Sequence, residues 1–123
     1  MASTFTDLGL ELMATGENAG TWGTKTNANL NLIEQLTGGF ATVSIAGGAG
    51  TTALDVDDGA LTGTAQQRII EFTGSISGNR IITIPNDVET FYILKNSTTG
   101  ANTVQFKYAT GSGSSTTFSA TDK

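Results

Sequence analysis

Residues 67–85 read QRIIEFTGSISGNRIITIP. Two runs rich in Ile, Phe and Thr, residue types that suit a pleated, half-buried surface, flank a segment of Gly, Ser and Asn that suits a chain reversal. The pattern is that of two strands joined by a turn, which as a hairpin gives an antiparallel pair. The same pattern recurs on either side. TVSIA at 42–46 and TALDV at 52–56 flank GGAG, TFYILK at 90–95 and TVQFKYAT at 103–110 flank NSTTGAN, and STTFSA at 115–120 supplies a last strand. Val104, Phe106 and Tyr108 alternate with Gln105 and Lys107, so that strand has one wet face. Phe91 to Leu94 is apolar on both faces, which places it centrally or at an interface. Hairpins at this spacing predict an antiparallel β-sandwich or barrel-like domain over residues 40–123.

Composition supports a β-rich chain. Among 123 residues there are 16 glycines, one proline and only 14% charged side chains, with a formal net charge of −5. The six basic residues are scattered, which leaves no cationic stripe for a phosphate backbone and argues against nucleic acid as a partner. With neither cysteine nor histidine, disulfides, zinc sites, thiol nucleophiles and the usual general base near neutral pH are all ruled out. The start of the chain lacks the basic and apolar regions of a signal peptide, and no stretch is long and apolar enough to span a bilayer. Asn96-Ser97-Thr98 fits the glycosylation sequon and, with no secretory signal, reads as a polar turn.

Residues 1–39 form a separate docking region. Leu8, Leu10 and Leu12 alternate with polar residues or glycine, the period of an extended arm with one apolar face that needs a partner surface. A Gly-, Ala- and Asn-rich joint follows, with Trp22 as its single large apolar group, expected to be a buried anchor against the helix or a neighbouring chain. Leu30, Ile33 and Leu36, with Leu32 beside them, predict a short amphipathic helix over 27–36, capped by Thr26 or Asn27 and stopped by Gly38-Gly39. The joint and helix start are not a phosphate loop. Gly16 and Gly20 are too close, and Thr24 separates Gly23 from Lys25, so the G-x-x-x-x-G-K-[ST] geometry is missing.

The remaining chemical candidates are weaker than their structural alternatives. Asp55 to Gly59, DVDDG, lacks the bidentate Glu of a calcium loop and reads as a solvated turn. Glu71 suits a surface pair, with Arg80 across the hairpin as its partner. Phe91, Tyr92, Phe106 and Tyr108 suit a core better than a sugar-binding face. No catalytic, cofactor or metal residues are assigned, and the chain is expected not to be an enzyme.

The segment ATGENAGTWGTKTNANLNLIEQLTGGF at 14–40 resembles the N-terminal signature of tailed-bacteriophage virion proteins, mostly tail-fibre and related tail proteins. Gly16, Ala19, Gly20, Thr21, Trp22, Gly23, Thr26, Asn27, Asn29, Leu30, Ile33, Glu34 and Gly39 carry the likeness. The β-rich stretches RIITIPND and YILKNSTTGANTVQFKYATGSG are also similar to those that follow the signature in such proteins. The resemblance implies a virion structural protein made in the host cytoplasm, with an N-terminal part that docks on other virion proteins and a β part that oligomerises, commonly as a trimer. It also implies that fibres continue further, so that contact with a host-surface glycan falls to a distal or missing part. A capsid decoration protein and a sugar-binding adhesion module are the alternatives. Leu8, Leu10, Leu12, Trp22, Leu30, Ile33 and Leu36 are the expected interface residues.

Overall fold

The computed structural model describes residues 2–110 and the backbone of residues 115–118. In chain order the elements are β1 (Thr4–Phe5), β2 (Glu11–Leu12), α1 (Trp22–Gly38), β3 (Phe40–Ser44), β4 (Gly50–Ala53), a 3-10 turn (Thr64–Gln66), β5 (Ile69–Ser75), β6 (Arg80–Ile84), β7 (Ile93–Thr99), β8 (Val104–Tyr108) and β9 (Ser115–Phe118). Among the described residues the chain is mainly β with one α-helix, and β3 to β9 begin within three residues of where the sequence places them.

Their pairing differs from the expected hairpins. β3, β5 and β7 form one sheet and β4, β6, β8 and β9 another, so the two arms of each strand–turn–strand unit belong to different sheets. Within the sheets the pairs β3–β5, β5–β7, β4–β6 and β6–β8 are parallel, and only β8–β9 is antiparallel. The antiparallel expectation is therefore wrong for these units, and neither sheet closes into a barrel. Each unit is an arch, and three arches stack in register.

Burial supplies the reason. Ile70 and Phe72 of β5 and Ile82 and Ile84 of β6 belong to one buried cluster, and the rings of Phe72 and Phe106, from different sheets, lie 6.3 Å apart. A two-residue hairpin turn spans strands about 4.8 Å apart, whereas facing sheets stand about 10 Å apart and need a longer connection. GSISGN is long enough for that crossing, and its Ile76, 2% exposed, closes the end of the core. Around this corner the ladder continues: Gly47 N donates to Ser75 O at 3.0 Å, Ser77 N to Gly47 O at 2.9 Å, and Ile76 N to Thr99 O at 2.9 Å. Each arch thus stacks its backbone on the next, as in repeat folds whose units cannot bury their faces alone.

Three smaller expectations change with the pairing. Glu71 meets Lys95 of the neighbouring strand at 3.0 Å and accepts from Ser97 Oγ at 2.7 Å, while Arg80, in the other sheet, donates to Gly48 O and Thr52 Oγ1. Asn96 lies not in a turn but inside β7, buried, its Oδ1 accepting from Thr98 N and Thr98 Oγ1, which satisfies a polar group in the interior. β7 is an edge of its sheet among the described residues rather than central. Tyr92 and Leu94 pack on the core and Phe91 and Ile93 are exposed. Tyr92, Phe106 and Tyr108 pack on the core as expected, whereas Phe91, expected there with them, is exposed.

The N-terminal region also departs from its pattern. Gly9, at φ +86°, reverses the chain, and β1 and β2 pair antiparallel instead of forming one extended arm. The period-2 face is broken at that turn: Leu8 packs against the core, Leu10 is half-buried and Leu12 is exposed. The helix begins at Trp22, not 27, with Thr21 as N-cap and no side-chain cap. Two tight turns, Glu17 N to Ala14 O and Thr21 N to Asn18 O, wind the joint so that Lys25 N already finds Thr21 O. The stop at Gly38-Gly39 forms as expected. A Cβ on Gly39 would lie 2.5 Å from Gln35 O, so the close approach requires glycine there.

Candidate assembly surface

The joint holds the helix to the arm through polar groups. Asn29, on α1, accepts from Glu11 N at 2.9 Å and donates to Glu11 O at 2.8 Å, pairing with the arm's backbone as a neighbouring strand would. Asn18, at φ +60°, donates to Glu11 Oε1, and Lys25 Nζ lies 3.6 Å from Glu11 Oε2. The Asn18 hydrogen bond, set against burial and helped by Ser3 and Lys25, holds the Glu11 carboxyl below its ordinary value. Lys25 of the glycine-rich joint is thus committed to an ion pair inside the chain.

A second pin fixes the arm to the β body. Gln66, fully buried in the 3-10 turn, donates from Nε2 to Leu8 O at 2.7 Å and accepts at Oε1 from Asp57 N at 3.1 Å. Gly59 N adds a bond to Gly9 O at 2.7 Å. DVDDG is a loop whose Asp57 and Gly59 N–H groups donate two of these bonds, and among the described residues no group of three or more acidic, Cys or His side chains is placed to hold a metal ion. No helix of the described residues is long and apolar enough to cross a membrane.

With the arm and joint held this way, α1 turns one side to its own chain. Successive residues advance by about 100° around the axis. Leu32 is fully buried, and Lys25, Ala28, Asn29 and Leu36 flank it on the same side. Trp22, Leu30 and Ile33, with Thr26 and Thr37 between them, occupy the next 80° or so of arc. That second half of the apolar arc has no cover: Trp22 is 64%, Leu30 59% and Ile33 47% exposed. Trp22 is therefore not an anchor within its own chain. Of the expected stripe only Leu36 turns inward, and Leu32 rather than Leu30 or Ile33 carries the packing.

The outer face of the β3–β5–β7 sheet adds a second apolar surface, which periodicity alone does not reveal. Phe40, Ile69 and Ile93 are register partners across the three strands and stand side by side on the outside. Phe40 and Ile93 are more than half exposed, as is Phe91 two residues before Ile93. Arg68 lies over the Phe91 ring at 3.9 Å, a cation–π contact at the margin of the row. A groove of about 510 Å³ lies at the C-terminal end of α1, lined by Glu34, Gln35, Gly38, Gly39, Leu61 and Gln67 among others. The structure thus gathers Trp22, Leu30 and Ile33 along one side of the helix and separates them from Leu8 and Leu36, which it half-buries, and from Leu10 and Leu12, which lie on the arm.

No protein-family model, curated protein or solved structure matches this chain.

Proposed function

We propose that this chain is a structural protein of a bacteriophage virion, the particle-docking N-terminal part of a tail fibre or a short tail protein, that works by assembly rather than catalysis. One observation carries the reading. The helix leaves three large apolar side chains, Trp22, Leu30 and Ile33, exposed on the side next to the one its own chain covers. Large contiguous apolar surface on a small chain marks a contact with another protein. The likeness of residues 14–40 to the tail-fibre signature points the same way, since Asn29 of that signature builds the joint and Trp22, Leu30 and Ile33 of it face outward.

In this reading the chain is a homo-oligomer, a trimer by likeness to such fibres, and attaches to other virion proteins. The stacked arches act as a sandwich-like body between attachment point and fibre, and recognition of a host-surface glycan belongs to a more distal part. Native mass spectrometry at micromolar concentration tests the assembly: three chains are expected, and a mass of one chain overturns the reading. Gold-labelled antibody against this chain, imaged on particles, tests the location. Label on the tail is expected, label over the shell favours a decoration protein, and unlabelled particles overturn a virion role.

A further inference from the structure

We infer that the groove at the C-terminal end of α1 takes an extended peptide segment of another protein, held along its main chain by the carboxamides of Gln35 and Gln67 and carrying a Lys or Arg side chain against Glu34. None of the exposed helix residues Trp22, Leu30 and Ile33 lines the groove, so this contact stands whether or not the chain is an oligomer.

At about 510 Å³ the groove falls in the range of ligand sites, about 300–1,000 Å³. Its polar walls are unsatisfied. Gln35 Nε2 is buried without a hydrogen-bond partner, an exception in native structures that a bound group would explain. The terminal amide torsion of glutamine is broad and Gln35 as a whole is only half-buried, so its amide can turn to a ligand without opening the core. The Gln67 carboxamide likewise makes no hydrogen bond among the described residues. Gly39 lies between the two: a Cβ there would run into both Gln35 O and Gln67 Oε1.

Elsewhere in this chain such carboxamides hold main chain. Asn29 accepts from Glu11 N at 2.9 Å and donates to Glu11 O at 2.8 Å, and Gln66 donates to Leu8 O at 2.7 Å and accepts from Asp57 N at 3.1 Å. Gln35 and Gln67 offer the same donor and acceptor pairs with no segment of their own chain to hold. The floor beside them suits a backbone. Gly38 is not in the left-handed region and a Cβ on it would meet no atom within 4 Å, so neither conformation nor packing requires a glycine that weakens the last turn of α1. The bare floor lets another main chain approach closely. Charge selects the segment. Glu34 is the one charged residue of the lining and has no ion-pair partner among the described residues, while Arg68, next to Gln67 in sequence, lies over the Phe91 ring at 3.9 Å instead. With a net charge of −5 on the chain, a cationic segment is attracted and an anionic one repelled. Leu61, 44% exposed, gives the stem of a Lys or Arg an apolar wall. A neutral sugar would use the same amides, yet the lining holds no aromatic ring for it to stack on.

The test follows the amide signals of the isotope-labelled full chain by NMR as three probes are added in turn. They are a pool of acetylated, amidated pentapeptides with a central Lys and Ala, Ser, Thr or Val elsewhere, the same pool with a central Glu, and tri-N-acetylglucosamine. The Lys pool is expected to move the side-chain signals of Gln35 and Gln67 and the backbone signals of Gly38 and Gly39 saturably, and the Glu pool to leave them in place. Glu34→Gln is expected to weaken the Lys pool several-fold. Gly38→Ala is expected to weaken it while leaving the melting temperature unchanged or higher, a split that a merely structural glycine would not give. Equal shifts from the Glu pool overturn the proposal by removing the role of Glu34. Shifts at these residues from tri-N-acetylglucosamine and not from the Lys pool make the groove a sugar site and overturn the peptide. Absence of a saturable shift there from the Lys pool at millimolar concentration overturns the proposal outright, whatever the oligomeric mass of the chain.

Discussion

Asn29 holds the main chain of Glu11 with both ends of its carboxamide, accepting at 2.9 Å and donating at 2.8 Å, across eighteen residues of sequence. The pair replaces two strand-type hydrogen bonds and fixes where the arm meets the helix. Asn29→Ala is expected to cost about 1–3 kcal/mol, because it leaves the Glu11 N–H and C=O unpaired in a part-buried place. Asn29→Asp keeps the acceptor but loses the donor and sets a second carboxylate beside Glu11, so it is expected to be no better than Ala. Chemical denaturation measures the loss. Amide exchange locates it: the Glu11 amide becomes fast while those of β5 and β6 stay slow.

Two glycines, Gly100 at a corner between arches and Gly23 in the helix, are expected to give opposite outcomes. Gly100 sits at φ +113°, and a Cβ there would run into the Ile76 carbonyl of the arch below. Gly100→Ala is expected to cost at least 1–3 kcal/mol or so through strain, before the clash is counted. Gly23 lies in the first turn of α1 with open space around it, and Gly23→Ala is expected to stabilise by about 0.5–1 kcal/mol. A Gly100→Ala midpoint that does not fall would contradict the stacking of the corners, and a Gly23→Ala midpoint that falls would contradict the open space at the start of α1.

Phe72 and Trp22 separate folding from assembly. Phe72 is fully buried between the sheets, so Phe72→Ala is expected to cost about 3–5 kcal/mol. Trp22, mostly exposed, has little to lose within its own chain, and Trp22→Ala is expected to shift the stability of the dissociated chain by no more than about 0.5 kcal/mol. Its effect falls on the native mass, which drops toward one chain. A Trp22→Ala variant that keeps the full oligomer mass would remove Trp22 from the interface.

The strands were legible because each is a local property of composition: β-branched and aromatic runs between Gly, Ser and Asn segments. Their pairing was not legible in the same way. Ile70 and Phe72 alternate inward whether β5 pairs with β6 beside it or faces it across a core, so periodicity alone does not distinguish a hairpin from an arch. Ile76 is the informative residue, since an apolar side chain at the middle of a six-residue turn has somewhere buried to go. The repeat was hidden as well. Phe40, Ile69 and Ile93 open successive rungs, yet they share only apolar character, and the intervening loops differ in length. The helix stripe was legible in part, because Leu30 and Ile33 lie on an apolar face, but which half of a wide apolar arc turns inward depends on Asn29 and Glu11 at the joint. Gln66, the pin of the arm, carries no sequence signal: a buried glutamine looks like any other until its partners are placed.

Tyr92 predicts a change of stability at high pH. Its hydroxyl donates to Ala65 O at 2.6 Å, and burial, reinforced by Tyr108 and opposed by Arg68, pushes it from 10.0 up to about 12. Between those values the unfolded chain has released a proton that the native chain still holds. The native state then binds more protons, so the stability contributed by this group is complete below pH 10 and is lost as pH rises toward 12. Tyr92→Phe removes the titration along with one hydrogen bond. It is expected to be less stable than the natural chain at pH 8 by about 1 kcal/mol, and this deficit should shrink as pH climbs through the window. The measurement is a set of urea midpoints for both chains from pH 8 to 12. A constant deficit would show that the Tyr92 hydroxyl titrates at its ordinary value, and a widening one that folding lowers it.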